Sequence, residues 1–349
     1  MLHLIIDANN CLGRHLIPNL LGYGEHIIIW DSRITQQAQE SLRILPGIRG
    51  IYTAPIIPCA ATGATWREHG EDLPPFAGAD VLWYLAASTS SIPQPEGPSE
   101  ASDPAIQGTS QFALTALQTV WQIVEIALNN NIPRIIFFSS DAVYGSATCA
   151  TEEDRLRPMS VYGAVAAGSE MILHAAASYG LDVTILRLGN VIGLPLRYKG
   201  ETELLAPGIL GSIIEQIRQH PDHITIRNDG TPLKNYIHVT EVAEAVMYAR
   251  HGARFNNPEI YNVGRPDTVN IREVVGLFQD ITGLTPYVQY GSQPYDWPGE
   301  PYEIGLDNAK LLSLGWKPRF KSSTGAVRYA IQEWWRIEGR DLMQRASNT

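Results

Sequence analysis

The sequence predicts an α/β protein, a Rossmann-like doubly wound parallel sheet with a smaller C-terminal α/β cap, and three observations carry that prediction. Short, nearly all-apolar runs at Leu2 to Ile6, Ile27 to Trp30, Val81 to Leu85, Arg134 to Phe138 and Val183 to Leu188 have the character of strands covered on both faces. Stretches of helical length lie between them, and strands alternating with helices imply a parallel sheet with right-handed crossovers. The first run ends in a polar turn, Asp7-Ala8-Asn9-Asn10, leading into a helical pattern. Such a turn is where an open sheet of this kind holds a nucleotide.

In chain order, Leu2 to Ile6 is followed by a helix over Leu12 to Leu21, the strand Ile27 to Trp30 closed by Asp31, a helix over Gln36 to Leu45, and an extended stretch from Gly50 to Ile57. The strand Val81 to Leu85 precedes a loop crowded with Pro, Gly and Ser from Ser91 to Asp103. A long helix over Ile106 to Asn129 leads to the strand Arg134 to Phe138, and a helix over Ser160 to Tyr179 leads to the strand Val183 to Leu188. Beyond Gly193 the rhythm loosens. A helix is expected near Leu204 to Arg218, a strand at Ile224 to Ile226, a helix at Val239 to Arg250, a strand ending near Asn262, and helices at Ile271 to Thr282 and Thr324 to Trp335. The partition this suggests is a nucleotide-binding sheet domain over residues 1–193 and a substrate-binding cap over 194–349, with return crossings left open.

Composition narrows the function classes. The chain has 349 residues, 44% apolar and 18% charged, as a globular protein does, and a formal net charge of -10. That charge argues against a broad nucleic-acid or anionic-membrane surface and for a small-molecule or protein partner. Cys11, Cys59 and Cys149 are odd in number and lack metal-ligand spacing, so they read as reduced, core or near-core thiols. Nor do the nine histidines form a metal-ligand pattern, and no metal is expected. No run approaches the ~20 apolar residues of a membrane span, and the N-terminus has no leader pattern, so a cytoplasmic location is expected.

Ligands of such sheets sit outside the carboxyl ends of the strands, at the point where strand order reverses. Asp31 stands there and can accept hydrogen bonds from an adenosine ribose, favouring a free 2'-hydroxyl, or it can cap the next segment; Arg33 keeps a phosphorylated ribose open. In the first turn, Asn10 can take the positive φ that a glycine would supply, Gly13 permits close packing of helix on strand, and Asp7 must point away from phosphate or cap the helix. The plainer alternative is a strand–turn–helix that holds no phosphate.

Phe138-Ser139-Ser140-Asp141-Ala142-Val143-Tyr144-Gly145, Pro158-Met159-Ser160-Val161-Tyr162-Gly163 with Glu170, Leu186-Arg187-Leu188-Gly189-Asn190-Val191-Ile192-Gly193, Asn235-Tyr236-Ile237-His238-Val239, Tyr261-Asn262-Val263-Gly264 and Leu314-Gly315-Trp316-Lys317-Pro318 occur in this order. Together they resemble the extended short-chain dehydrogenase/reductases, the NAD-dependent epimerase/dehydratase family, over nearly the whole chain. The resemblance implies NAD as cofactor, with Asn10, Leu12, Gly13, Asp31 and Ala86 as its candidate binding residues. It implies a catalytic group of Tyr162, Ser140 and Asp141, the last at the place of the dehydratase acid, with Ala142 where a glutamate is expected beside it. Asn190, Lys234 and Arg197 are the candidate substrate residues for a nucleotide-sugar, and Arg187 is a further candidate for its phosphates. Trp297 and Tyr302 either wrap over a base or sugar or anchor a loop, while His238 is expected to be structural, near Tyr236. Relatives dimerise through two helices, here Ile106 to Asn129 and Ser160 to Tyr179, which implies a homodimer.

Against that pattern the sequence departs in one cleft. The family's lysine, four residues after the tyrosine, is Ala166; its helix asparagine is Ala105; its first two fingerprint glycines are Asp7 and Asn10. An unperturbed tyrosine has a pKa of about 10 and needs help to act as a base at neutral pH. No lysine occurs before Lys199, so the expectation is altered or impaired redox chemistry. A non-redox lyase or isomerase, with Asp141, Tyr162 and Glu152 or Glu153 handling protons, and a noncatalytic scaffold are the alternatives.

Overall fold

The computed structural model describes residues 1–31, 34–53, 76, 78–85, 104–199, 201, 206–250, 257–297 and 299–346. The first half runs β1 (Leu2–Ile6), α1 (Cys11–Gly22), β2 (His26–Trp30), α2 (Gln36–Arg43), β3 (Ile48–Tyr52), β4 (Val81–Tyr84), α3 (Pro104–Asn129), β5 (Arg134–Ser140), β6 (Ala147–Ala150), α4 (Val161–Ala177), β7 (Asp182–Leu188) and β8 (Asn190–Ile192). The second runs α5 (Gly208–Gln219), β9 (His223–Ile226), β10 (Leu233–Lys234), β11 (Tyr236–His238), α6 (Val239–Ala249), β12 (Glu259–Val263), β13 (Val269–Asn270), α7 (Ile271–Thr282), β14 (Tyr287–Tyr290), β15 (Glu303–Leu306), α8 (Ala309–Ser313) and α9 (Ser323–Ala346).

Seven strands form one parallel sheet in the order β12-β7-β5-β4-β1-β2-β3, so strand order reverses between β1 and β4. Both faces are covered, which explains the unbroken apolar runs. Ile5, Ile29 and Trp83 pack under Leu16 and Leu20 of α1 and Val242 and Val246 of α6. Their neighbours Leu4, Ile6, Ile28 and Leu82 face Val120 and Val124 of α3 and Leu173 and Ala176 of α4. A strand's period of two thus feeds two cores at once.

Chain beyond residue 193 returns to this sheet: β12 pairs with β7, and α6 covers one face. A third core lies among α5, α7 and α9, where Phe278 and Trp334 stack at 5.4 Å. Short pieces with no legible period complete the fold around the site. β13, β10, β15 and β6 form a small sheet in that order, and β11 pairs with β8.

Three boundaries move. Helix α5 begins at Gly208, after Pro207 in extended geometry, because the residue before a proline is disfavoured in a helix. Strand β5 runs on to Ser140, and α9 extends past Trp335 to Ala346. The cysteine expectation is corrected in part: Cys11 is half-buried but Cys149 is exposed on β6, and Cys59 lies outside the described residues. Among the described residues no helix is long and apolar enough to cross a membrane, and no group of metal-ligating side chains converges. Leu114, Trp121 and Leu128, spaced seven residues apart along α3, are exposed, as is Met171 on α4.

Candidate active site

The first turn is built differently from the expectation. Asp7 takes the positive φ, at 59°, whereas Asn10 is extended at φ -109° and caps α1. Aspartate tolerates the left-handed region better than most residues, and an asparagine at the cap satisfies a helix amide, so each side chain suits its place. Asn10 Oδ1 accepts from the Gly13 amide at 2.9 Å, and its Nδ2 donates to the Asp7 carbonyl at 2.8 Å. Gly13 plays the packing part assigned to it: a Cβ there would overlap the Ala8 carbonyl. Leu12 is buried in the first turn of α1, whose leading amides point out of the helix.

Asp31, fully buried at the end of β2, accepts from the Asn9 amide at 2.6 Å and so ties the strand end to the turn. Arg14, which sequence reasoning passed over, donates to Asn9 Oδ1 at 2.9 Å and grips both oxygens of Glu201, with Tyr198 stacked on its guanidinium at 4.5 Å. Ala86 and Arg33 lie outside the described residues, as does the side chain of Ala105.

At the carboxyl end of β5 the predicted catalytic group comes together. Ser140 bonds the half-buried Tyr162, whose helix α4 starts at the Ser160 cap. Ser140 Oγ also donates to Asp141 Oδ1 at 3.3 Å and accepts from the Ala142 amide at 3.2 Å. A serine hydroxyl has one proton, so donation to Asp141 leaves it an acceptor for the Tyr162 hydroxyl. The line therefore reads Tyr162 to Ser140 to Asp141. Burial pushes the Tyr162 hydroxyl up to about 12, with Asp141 adding to the rise. Burial likewise pushes Asp141 up to about 6, against the pull of Lys234, Asn235 and Ser140. Ala166, one turn beyond Tyr162, is buried with Val143, Tyr144, Ile304 and Leu306.

The residue that sequence reasoning left as part of a motif is Asn235, fully buried between β10 and β11. Its Nδ2 donates to Asp141 Oδ2 at 3.0 Å. Asn190, the candidate beside it, is half-buried at the start of β8, and its amide donates to the Asn235 carbonyl at 3.1 Å.

The candidate cations have protein partners. Lys234 pairs with Glu300 at 3.0 Å and donates to the Pro301 carbonyl at 2.5 Å, all buried. Arg197 is on Glu338 of α9 at 2.9 Å, which Arg218 also holds. Arg187, offered as a phosphate ligand, is instead locked in the interior: it binds Glu170 at 2.7 Å and donates to the Tyr144 hydroxyl at 2.7 Å. Glu170 in turn accepts from Ser139 at 2.5 Å, and Tyr144 donates to Asn262 at 2.7 Å, so five motif residues form one buried polar network. Glu152 belongs to it too, accepting from the Asn262 amide at 2.7 Å. His238 caps α6 through Thr240 and packs edge-on against Phe320 and Tyr329, a structural place as expected. Lys199 is exposed, with its amide on Ser41 of α2; Tyr302 is exposed, and its amide donates to Ser146 at 3.2 Å.

A doubly wound sheet with a capped turn at its switch point and a Ser–Tyr pair at the end of β5 defines a Rossmann-type protein with its site on the carboxyl edge. Residues 4–264 match the sequence model of the NAD dependent epimerase/dehydratase family, and the chain belongs to that family. It is 30% identical over 224 residues to a putative UDP-glucose 4-epimerase of Methanocaldococcus jannaschii, covering 62% of this chain and 68% of that one. It is 25% identical over 270 residues to the dTDP-glucose 4,6-dehydratase of Streptomyces griseus, covering 74% of each. Among solved structures, the UDP-glucuronic acid 4-epimerase of Bacillus cereus, in complex with UDP-glucuronic acid and NAD, shares the fold with a TM-score of 0.74 at 19% identity, over 97% of this chain and 99% of that one. The UDP-glucose 4-epimerase of Thermotoga maritima, with UDP-glucose, gives 0.72 at 21% identity, over 97% and 99%.

Proposed function

We propose that this chain is an NAD-linked epimerase/dehydratase-type protein acting on a nucleotide-sugar or a related polyhydroxylated compound, with proton chemistry run without the family's lysine. The observation that carries this is the Tyr162–Ser140–Asp141 line at the carboxyl edge of the sheet. Several relatives at comparable similarity are epimerases and dehydratases of nucleotide-sugars, which supports the substrate class.

The binding half of the site fits a dinucleotide. Asp7 supplies the left-handed turn, Gly13 lets α1 close on Ala8, and Asp31 stands buried at the end of β2. Asn10, Leu12 and Gly13 at the helix start would hold the pyrophosphate, and Asp31 the ribose. NAD held there would supply the hydride chemistry. The chain's own residues handle the proton. At neutral pH Tyr162 is a donor and the largely ionised Asp141 is the acceptor that reaches it through Ser140.

The reacting half departs from the family pattern. We read Asp7 and Asn10 as a degenerate glycine fingerprint and Ala166 as the replaced lysine. Ala166 sits among apolar side chains, so no cation lowers the Tyr162 hydroxyl from that position. This favours a second reading, a non-redox lyase or isomerase using the same cleft. The Lys234–Glu300 pair favours a substrate whose binding does not depend on Lys234. Asn190 and Arg197 complete the proposed substrate side. Residues 1–193, with α6 and β12 returning to them, are proposed as the nucleotide-binding unit and the remainder as the cap; the exposed α3 and α4 stripes are proposed as a homodimer interface.

Turnover assays with UDP- and dTDP-hexoses, with and without NAD, test the proposal against Tyr162→Phe and Asp141→Asn. Each variant is expected to lose roughly a hundredfold or more in rate. Wild-type turnover unchanged in both variants would overturn the assignment, and turnover independent of NAD would transfer it to the non-redox reading.

A further inference from the structure

Asn235, between β10 and β11, stands against β15 and the end of β5. Its Nδ2 donates to Asp141 Oδ2 at 3.0 Å and to the Ile304 carbonyl of β15 at 3.1 Å. Its Oδ1 is buried with no hydrogen-bond partner. The amide cannot be turned over, because that would set Oδ1 against a carboxylate and a carbonyl, three acceptors with no proton between them. Space for this orientation comes from two glycines: a Cβ on Gly189 or on Gly264 would overlap Oδ1. Glycines from two separate motifs and an asparagine from a third thus converge on one contact, and that contact ends on Asp141.

We propose that Asn235 is a positioning residue that holds the Asp141 carboxylate on Ser140 at the end of the Tyr162–Ser140–Asp141 line. The inference rests on the proton-handling reading given above and adds to it the group that aims the acid. A carboxylate that is free to rotate would keep contact with Ser140 only part of the time. Clamped through Oδ2 by Asn235, Asp141 presents Oδ1 to Ser140.

The surroundings of Asp141 make asparagine a discriminating choice. The charged and titratable groups that act on it are Lys234 on β10 and Tyr162 on α4; Lys234 is itself paired with Glu300, and Asp296 lies near that pair. Burial favours the protonated acid, while Lys234 and the bonds from Asn235, Ser140 and the Ala142 amide favour the charged form. Asn235 supplies a donor to the charged form without titrating itself, whereas a carboxylate at the same place would add a second acid within hydrogen-bond reach.

Carboxyl NMR on protein labelled at aspartate, with the Asp141 signal assigned by its loss in Asp141→Asn, reads the titration without any turnover. Asn235→Ala removes one bond to the charged form and is expected to raise the Asp141 midpoint by about one pH unit. Asn235→Asp is expected to raise it further. A role confined to the Ile304 carbonyl would lower thermal stability and leave the midpoint in place. In wild-type protein, which needs no variant to fold, the Asn235 side-chain amide signals are expected to move with pH at the Asp141 midpoint. Asn235→Ala titrating at the wild-type midpoint, or an Asn235 amide indifferent to pH, would overturn the proposal. A moved midpoint in a protein that turns over none of the hexoses would sustain the clamp and sink the functional reading; an unmoved midpoint in an active enzyme would do the reverse.

Discussion

A carboxyl group raised from an ordinary value near 3.8 to about 6 marks Asp141 as a place where the fold prefers the neutral form. The unfolded chain releases that proton near pH 4 and the folded one near pH 6, so the stability this group contributes is full below pH 4 and is lost as pH rises through that window. A shift of that size corresponds to roughly 3 kcal/mol above pH 6. Asp141→Asn keeps the shape and cannot ionise. It is therefore expected to melt several degrees above wild type at pH 8 and together with it at pH 4, as differential scanning calorimetry across pH would show. Tyr162 is displaced the other way from usefulness as a base. With its hydroxyl pushed up to about 12 by burial, it is expected to show no phenolate absorbance below pH 10, when the spectrum is compared with that of Tyr162→Phe. A residue's position was legible in the sequence here where its charge state was not. The resemblance to the family's motifs pointed to the pair, but burial and the Asn235 contact, 94 residues away along the chain, emerge only on folding.

At the level of elements, the turn from β1 into α1 shows how one requirement can be met by a different residue. The turn needs one left-handed residue and one cap; Asn suits both, so sequence alone gave Asn10 the φ that Asp7 takes. Asn10→Ala is expected to cost about 1 kcal/mol in urea unfolding through loss of the cap. Gly13→Ala forces a Cβ onto the Ala8 carbonyl and is expected to weaken dinucleotide binding more than it weakens the fold, read by comparing calorimetric affinity with the urea midpoint. The pair of Glu170 on α4 and Arg187 on β7 is of another kind. Glu170→Ala would strand a buried guanidinium, and a loss of about 3–5 kcal/mol in chemical denaturation is expected. Long periodic elements were legible because burial on both faces writes itself as an apolar run. The pieces β6, β8, β10, β11, β13 and β15 were not, since two to four residues carry no period. Those same pieces bring Asn190, Lys234 and Asn235 to the site.

Across the whole molecule, the seven-stranded sheet places its switch point beside the capped turn, and Asn235, between β10 and β11, reaches Asp141 at the end of β5. Leu114, Trp121 and Leu128 recur every seven residues on the outer side of α3 while Val120 and Val124 face the sheet, so the helix has apolar surface left over. Trp121→Glu is accordingly expected to convert a dimer to a monomer in sedimentation velocity; a monomeric wild type would remove that interface. The central claim is that the turn made by Asp7, Asn10 and Gly13 holds NAD although Ala166, and no cation, stands one turn beyond Tyr162. The most direct measurement is calorimetric titration of ligand-stripped protein with NAD, NADH, NADP and NADPH, with mass spectrometry of whatever is released on denaturation. Saturable, micromolar binding of NAD or NADH, tighter than of the phosphorylated pair because Asp31 at the end of β2 is the proposed ribose acceptor, is the predicted result. No dinucleotide bound and none released would contradict it and leave a cleft turned to other chemistry.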